Sequence, residues 1–311
     1  MVELAPLVSV IIPTYKRGGE FLKRAVRSVL NQTYAHIEVI VVDDNPPASV
    51  YRRETEESME EFGAYHNVIY LQNVQNMGGG PARNEGIGRA AGEYITFLDD
   101  DDVYLPEKVG AQLRFMLDQD LDLSFTDVRI HNQGGKLVDY REHPYVRDVS
   151  NEELLKLHLM HHLTPTNTYM FRKEALTKIG GFDDVKMGQE FLLMLKAIER
   201  GLSIGYLPVA HVIQYLHEGE RISSGENKIQ GEMELFELKK GYFPLLNFRQ
   251  RQYVKFRHHA VLMVVGKRSK RRLFALEHFV KALLSSPLDC FWEAICHCGK
   301  MRKFREIQKG Q

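Results

Sequence analysis

The sequence predicts an α/β protein built on a parallel, doubly wound sheet with flanking helices, extended by a helical C-terminal region. Two observations carry this. Over the first ~100 residues short apolar runs alternate with amphipathic helical stretches, the pattern of a parallel sheet with crossovers. From about Gly225 onward strand signals cease and only helical periodicity remains, with a basic bias after Phe248.

Taken in order, "VSVIIPTY" (Val8–Tyr15) is an apolar run suited to a central strand. "FLKRAVRSVLNQT" sets Phe21, Leu22, Ala25, Val26, Val29 and Leu30 on one helical stripe. "IEVIVVDD" (Ile37–Asp44) is a second strand, Val50–Ala64 a charged surface helix, and "NVIYLQ" (Asn67–Gln72) a third strand. Gly80-Pro81 opens the next helix, with proline in a first-turn position, and the pattern runs to about Ala91. "EYITFL" then predicts a fourth strand leading into Asp99–Asp102.

Beyond it, a helix over Pro106–Asp118 precedes "DLSFTDVRIHN" and "KLVDYRE", which read as a hairpin turning at Asn132–Gly135. "TYMFRKEALTKIGGF" reads as strand, short helix and glycine turn. "QEFLLMLKAIERG" is an apolar helix ended by Gly201, and "SIGYLP" and "HVIQYLH" are short strands. The expected division is an α/β domain over 1–218 and a basic helical region over 219–311.

The 311-residue chain has no formal net charge, but the balance is uneven. Arg249–Gln311 holds 15 Lys+Arg against 4 Asp+Glu; of 41 residues of each sign, 26 against 37 remain for the rest. An acidic body with a basic tail implies two surfaces with different partners. The three cysteines, Cys290, Cys296 and Cys298, sit in one corner and make no disulfide framework, which suits a reducing compartment. The N-terminus lacks a basic n-region and a cleavage site, so no signal peptide is expected.

In open α/β sheets ligands bind at the carboxyl ends of the strands, where Tyr15, Asp44 and Asp99–Asp102 all fall. If the strand stays extended, Asp99 and Asp101 share a face and Asp100 points opposite. Two such carboxylates suit a hard divalent cation with oxygen ligands; a site this sparse suits Mg2+ shared with phosphates. The plainer alternative is a solvated acidic loop. Neither G-x-G-x-x-G after the first strand nor G-x-x-x-x-G-K-[ST] occurs, so dinucleotide and P-loop sites are excluded.

The ordered set "VSVIIPTY", "SVLNQTY", "EVIVVDDN", "NMGGGPARNEGIGRAAGEYITFLDDDD", "GGFDD" and "GQEFLLMLKAIERG" resembles the inverting family 2 glycosyltransferases of the GT-A fold, from about Val8 to His217. The resemblance implies a GT-A nucleotide-sugar-binding sheet. It implies that Pro13, Thr14 and Tyr15 line the base pocket, with Tyr15 stacking on the ring, and that Asp44 accepts from the uracil imide. It puts Asp101 on Mg2+ or Mn2+ at the diphosphate, with Asp99 or Asp100 assisting or reaching the ribose; the extra Asp102 leaves the register open by one residue. It sets Arg83, beside Asn84, toward the diphosphate, and His217 near the metal. In "MGQEF" it makes Glu190 the base that deprotonates the acceptor, where many relatives carry aspartate; a carboxylate in a helix's first turn also suits the dipole.

The tail lies outside this resemblance. "KRSKRRLFALEHFVKALL" opens with Lys267, Arg268, Lys270, Arg271 and Arg272, then sets Leu273, Leu276, Val280 and Leu283 at helical spacing. Basic residues beside an apolar stripe suit an anionic membrane surface; packing on the catalytic domain or in a homo-oligomer is the rival. Nucleic acid is not expected, since no binding module accompanies the charge.

The expected function is metal-dependent transfer of a sugar from a nucleotide-sugar donor, UDP-linked, to a hydroxyl of a saccharide or lipid-linked acceptor. The expected location is the cytoplasm, at the inner face of the cell membrane. The alternatives are a non-catalytic nucleotide-sugar-binding or scaffold protein, and a nucleotidyltransferase on a related sheet.

Overall fold

The structure is a computed structural model that describes residues 5–17, 19–216, 225–293 and 295. The chain divides into two units. The first holds residues up to Leu154 together with Leu163–Val185 and Gln189–Leu216; the second gathers Leu155–His162, Lys186–Gly188 and the described residues from 225 on.

The first unit opens with β1 (Val8–Thr14), α1 (Glu20–Leu30), β2 (Ile37–Asp43), α2 (Val50–Glu60), β3 (Val68–Gln72), α3 (Gly79–Arg89) and β4 (Tyr94–Phe97). β1, β2, β3 and β4 pair in parallel. Both faces of β1 and β2 are covered, which is why they read as unbroken apolar runs rather than alternations. On α1, Leu22, Ala25, Val26 and Val29 turn to the core; Phe21, expected on that stripe, is 40% exposed. α3 lies so close to β1 that a Cβ on Gly86 would meet Ile11 Cγ2 at 2.5 Å, so only glycine fits there.

Next come β5 (Val103–Tyr104), α4 (Lys108–Asp118), β6 (Leu123–Thr126), β7 (Val128–Asn132), β8 (Leu137–Arg141) and α5 (Asn151–His161), which from Leu155 belongs to the second unit. The expected strand "DLSFTDVRIHN" is split at Asp127: β6 joins the main sheet, and β7 pairs antiparallel with β8 in a second one. The hairpin turn at Asn132–Gly135 forms as expected, Asn132 N–H donating to the Lys136 carbonyl at 2.9 Å. β9 (Met170–Arg172), α6 (Lys173–Lys178), α7 (Gln189–Glu199), β10 (Ile204–Leu207) and β11 (Val212–Leu216) complete the unit.

The seven-stranded sheet runs β10-β6-β9-β4-β1-β2-β3, and the four-stranded sheet β5-β11-β7-β8. The larger sheet is mixed, not wholly parallel, because β9 pairs antiparallel with both β4 and β6. That insertion still leaves β6 parallel to β4, so the carboxyl ends of β1, β2, β4 and β6 share one edge.

The second unit contains α8 (Gly225–Gly241), α9 (Phe248–Arg268) and α10 (Arg272–Ser285). Asn247 and Gln250 cap α9 reciprocally. Within this unit Glu232 meets the His258 ring at 3.2 Å, Phe236 stacks on His258 at 4.0 Å, and Lys239 donates to His162 Nε2 at 2.5 Å. Among the described residues no helix is long and apolar enough to cross a membrane.

Candidate active site

The carboxyl edge of the larger sheet delivers the chemistry. β1 ends at Thr14 and passes to Tyr15, Lys16 and Arg17; β2 ends at Asp43 and passes to Asp44; β4 ends at Phe97, ahead of the acidic run. α3 contributes Arg83, and the first turn of α7 contributes Gln189 and Glu190.

Because β4 stops at Phe97, the aspartates are not part of an extended strand, and the expectation that Asp99 and Asp101 share a strand face fails. The run is a turn closed by Asp102 N–H donating to the Asp99 carbonyl at 3.0 Å. Its four carboxylates are sorted to different partners. Asp99 pairs with Arg83 Nη2 at 2.6 Å. Asp100 accepts from Arg17 Nη1 at 2.9 Å, and the same guanidinium contacts Asp101. Asp102, 1% exposed, accepts from Asn167 Nδ2 at 2.6 Å and from the Tyr215 N–H at 3.0 Å. The fourth aspartate is therefore an anchor between the acidic turn, residue 167 and β11.

Burial dominates the electrostatics of the turn. It pushes Asp100 up to about 7, opposed by Arg17 and reinforced by Asp101. Burial, with Asp101 and Asp99 adding to it, also holds Asp102 well above the ordinary carboxylate range. Thr14 Oγ1 lies 2.6 Å from Asp100 Oδ2 and 2.8 Å from the Arg17 carbonyl. Its single proton serves one acceptor at a time, so a proton on Asp100 would complete the pair.

These residues fit a divalent cation. Two adjacent hard oxygen donors, Asp100 and Asp101, already hold one positive group between them, and bound positive charge would relieve their mutual repulsion. Among the described residues no three or more His, Cys, Asp or Glu side chains converge as a metal cage, so ligand oxygens and water would complete the sphere. His217, expected near the metal, lies outside the described residues.

At the carboxyl end of β2, Asp44 is 2% exposed and its oxygens accept from Asn73 Nδ2 (2.8 Å), Asn76 Nδ2 (2.8 Å), Met77 N–H (2.9 Å) and Gly78 N–H (2.9 Å). It organises the 73–78 loop, and a base imide would have to take the place of one of these donors. Thr14 turns to Asp100 rather than outward. Pro13 is half-buried, as is Tyr15, whose ring has Lys16 Nζ 5.3 Å from its centroid.

Arg83 links the acidic turn to α7. Besides Asp99, its Nη1 donates to Gln189 Oε1 at 3.4 Å, one residue before the half-buried Glu190. Lys196 fixes the approach to α7 by holding the Gly181 carbonyl (2.7 Å) and Asp183 (2.8 Å). Two residues that sequence reasoning passed over belong here. Arg17 bridges Asp100 and Asp101, and Arg24 donates to the Asp101 carbonyl at 2.7 Å while lying 4.0 Å over the Tyr215 ring. A basic pair after Tyr15 was visible in "PTYKR"; which way it turned was not.

Residues 9–180 match the family model described as "Glycosyl transferase family 2". The chain belongs to that family. A relative, an uncharacterised glycosyltransferase of Methanocaldococcus jannaschii, is 29% identical over 196 residues, covering 62% of this chain and 65% of its own. TuaG of Bacillus subtilis, provisionally named a teichuronic acid biosynthesis glycosyltransferase, is 36% identical over 139 residues, 45% of this chain and 53% of its own. The family 2 chain thus spans between about half and two-thirds of the length of these curated relatives. Staphylococcus aureus TarS 1-349, solved in complex with UDP-GlcNAc, superposes with a TM-score of 0.58 at 19% identity over 90% of this chain and 89% of its own. The fold is the GT-A fold, a central sheet with flanking helices and a C-terminal helical extension.

Proposed function

We propose that the protein is an inverting glycosyltransferase that moves a sugar from a nucleotide-diphosphate donor, UDP-linked, to a hydroxyl of a saccharide or lipid-linked saccharide. The observation that carries this reading is the convergence of Asp99–Asp101, Arg17, Arg83 and the α7 N-terminus on one sheet edge of a family 2 chain. TarS was solved with UDP-GlcNAc and with UDP, which supports a uridine donor and hexosyl or N-acetylhexosaminyl transfer. The name of TuaG supports an envelope polysaccharide as acceptor.

In this reading Asp101, assisted by Asp100 or Asp99, holds Mg2+ or Mn2+. When bound, the ion offsets charge on the departing diphosphate. Arg17 exchanges its carboxylate partners for phosphate oxygens, and Arg83 lies on the same side. Glu190 takes the acceptor hydroxyl proton. The acceptor oxygen bonds to the anomeric carbon as the bond from that carbon to the diphosphate oxygen breaks, and its electron pair leaves with the nucleotide. One displacement inverts the anomeric configuration with no covalent enzyme intermediate.

The test is a panel of nucleotide sugars incubated with Mn2+ and saccharide acceptors, assayed for free nucleoside diphosphate and for the anomer formed. Release of UDP with an inverted product supports the reading. A pyrophosphate product identifies a nucleotidyltransferase. Saturable binding without turnover for any donor identifies a non-catalytic binding protein.

A further inference from the structure

Helix α10 carries apolar residues on two opposite sides, and only one side is packed. His278 and Ala282 are buried, and the turn before α10 brings Phe274 and Ala275 against Gly266 of α9. At 100° per residue, Leu273, Leu276, Val280 and Leu283 fall on the far side. All four are exposed there, Leu273 by 84%. After Ser286, whose extended backbone ends α10, the helical residues 287–293 carry a second exposed apolar set: Leu288, Phe291 and Trp292 are spaced i, i+3, i+4 and are 76%, 69% and 65% exposed. Scattered surface hydrophobics are ordinary, but four large ones on one helix face with three more just beyond it mark an interaction surface.

The charge at the head of this face selects the partner. Lys267, Arg268, Lys270, Arg271 and Arg272 are all exposed around the α9–α10 turn. Among the described residues only Arg271 of these five forms an ion pair, with Glu226 at 2.8 Å. α10 starts on Arg271 with no side-chain cap and no acid in its first turn. Cations at a helix N-terminus oppose the dipole, so the sequence departs there from what helix stability favours. A second copy of this chain would cover the apolar face but bring no negative charge from it: Glu277, the acid beside the stripe, is already paired with Lys281 at 2.5 Å. An anionic bilayer meets both requirements, with phosphate headgroups for the cations and acyl chains for the leucines; Trp and Phe suit the boundary between them.

We propose that α10 and residues 287–293 lie in the plane of an anionic membrane surface, basic turn on the headgroups and the Leu/Phe/Trp face among the acyl chains. This surface does not depend on the identity of the donor or acceptor.

Trp292 is the one tryptophan in the chain, so its emission reports directly on the face. The full-length protein, mixed with phosphatidylglycerol-containing vesicles, should co-sediment with them. Its emission should shift to the blue and be quenched by brominated acyl chains. Phosphatidylcholine vesicles should give little of this, and raising salt toward 1 M should weaken it several-fold. Replacing Lys267, Arg268, Lys270 and Arg272 by glutamine should lower partitioning about 5-fold per charge removed, with nucleotide-sugar turnover in solution and far-UV circular dichroism unchanged. The double variant Leu276→Ser, Leu283→Ser should retain weak, salt-sensitive adsorption but lose quenching by brominated chains. The proposal is overturned if anionic vesicles leave emission and sedimentation unchanged. It is equally overturned if the blue shift appears without lipid and tracks self-association in sedimentation velocity, which would make the face an interface between copies.

Discussion

Arg17 Nη1 donates to Asp100 Oδ1 at 2.9 Å and touches Asp101 as well, so a guanidinium stands between the two carboxylates proposed to receive a divalent cation. The turn is thereby compensated by the protein's own cation. A metal–diphosphate complex would displace that cation toward phosphate rather than strip it of a partner.

Arg17→Gln should therefore destabilise the metal-free protein, by about 1–3 kcal/mol since the guanidinium is about a third exposed. Mn2+ should raise the melting temperature more in the variant than in the wild type, because it replaces the missing charge. Differential scanning calorimetry in EDTA and in Mn2+ measures both. Equal melting temperatures in EDTA would mean that the bridge contributes nothing.

Glu190→Gln should lower transfer by roughly 10²–10⁴-fold while leaving UDP-sugar affinity within a few-fold, because a general base acts on the acceptor and not the donor. Kinetics paired with calorimetric donor titration separates the two. Near-normal turnover would move the base elsewhere.

How far the site could be read from the sequence depended on whether a residue's role is local. β1 and β2 were legible because strands buried on both faces leave an unbroken apolar run. The helix stops at Gly201 and the hairpin at Asn132–Gly135 were legible from turn chemistry. The antiparallel entry of β9 between β4 and β6 was not, because pairing partners leave no periodicity in a three-residue strand. The acidic run was visible, but its sorting was not. Asp99 to Arg83, Asp100 and Asp101 to Arg17, and Asp102 to Asn167 are contacts across 16, 83 and 65 positions for Asp99, Asp100 and Asp102, set by where β4 ends. The same holds for Asp44, whose four donors come from the loop after β3.

Lys239 gives a pH prediction for the C-terminal unit. Burial outweighs the help of Glu232 and lowers its amine to about 7, while an unfolded lysine titrates near 10.5. Between these values the unfolded chain binds more protons, so stability should rise as pH increases from about 7 toward 10 and be least below 7. His162, held well below its ordinary value by burial and Lys239, adds the same sign at lower pH. Urea unfolding followed by circular dichroism should show the midpoint rising from pH 7 to 9, and Lys239→Met should flatten that rise. A midpoint falling over this range would contradict the assignment.

The central claim is that the acidic turn binds a nucleoside diphosphate through a divalent cation, and calorimetric titration of UDP tests it most directly. The wild-type protein should bind UDP in Mn2+ and lose at least tenfold in affinity in EDTA, a difference of about 1.4 kcal/mol or more. Asp101→Ala should bind weakly in both buffers, with its fold preserved by circular dichroism. Equal UDP affinity for wild type and Asp101→Ala in Mn2+, or no dependence of the wild type on the metal, would contradict the account.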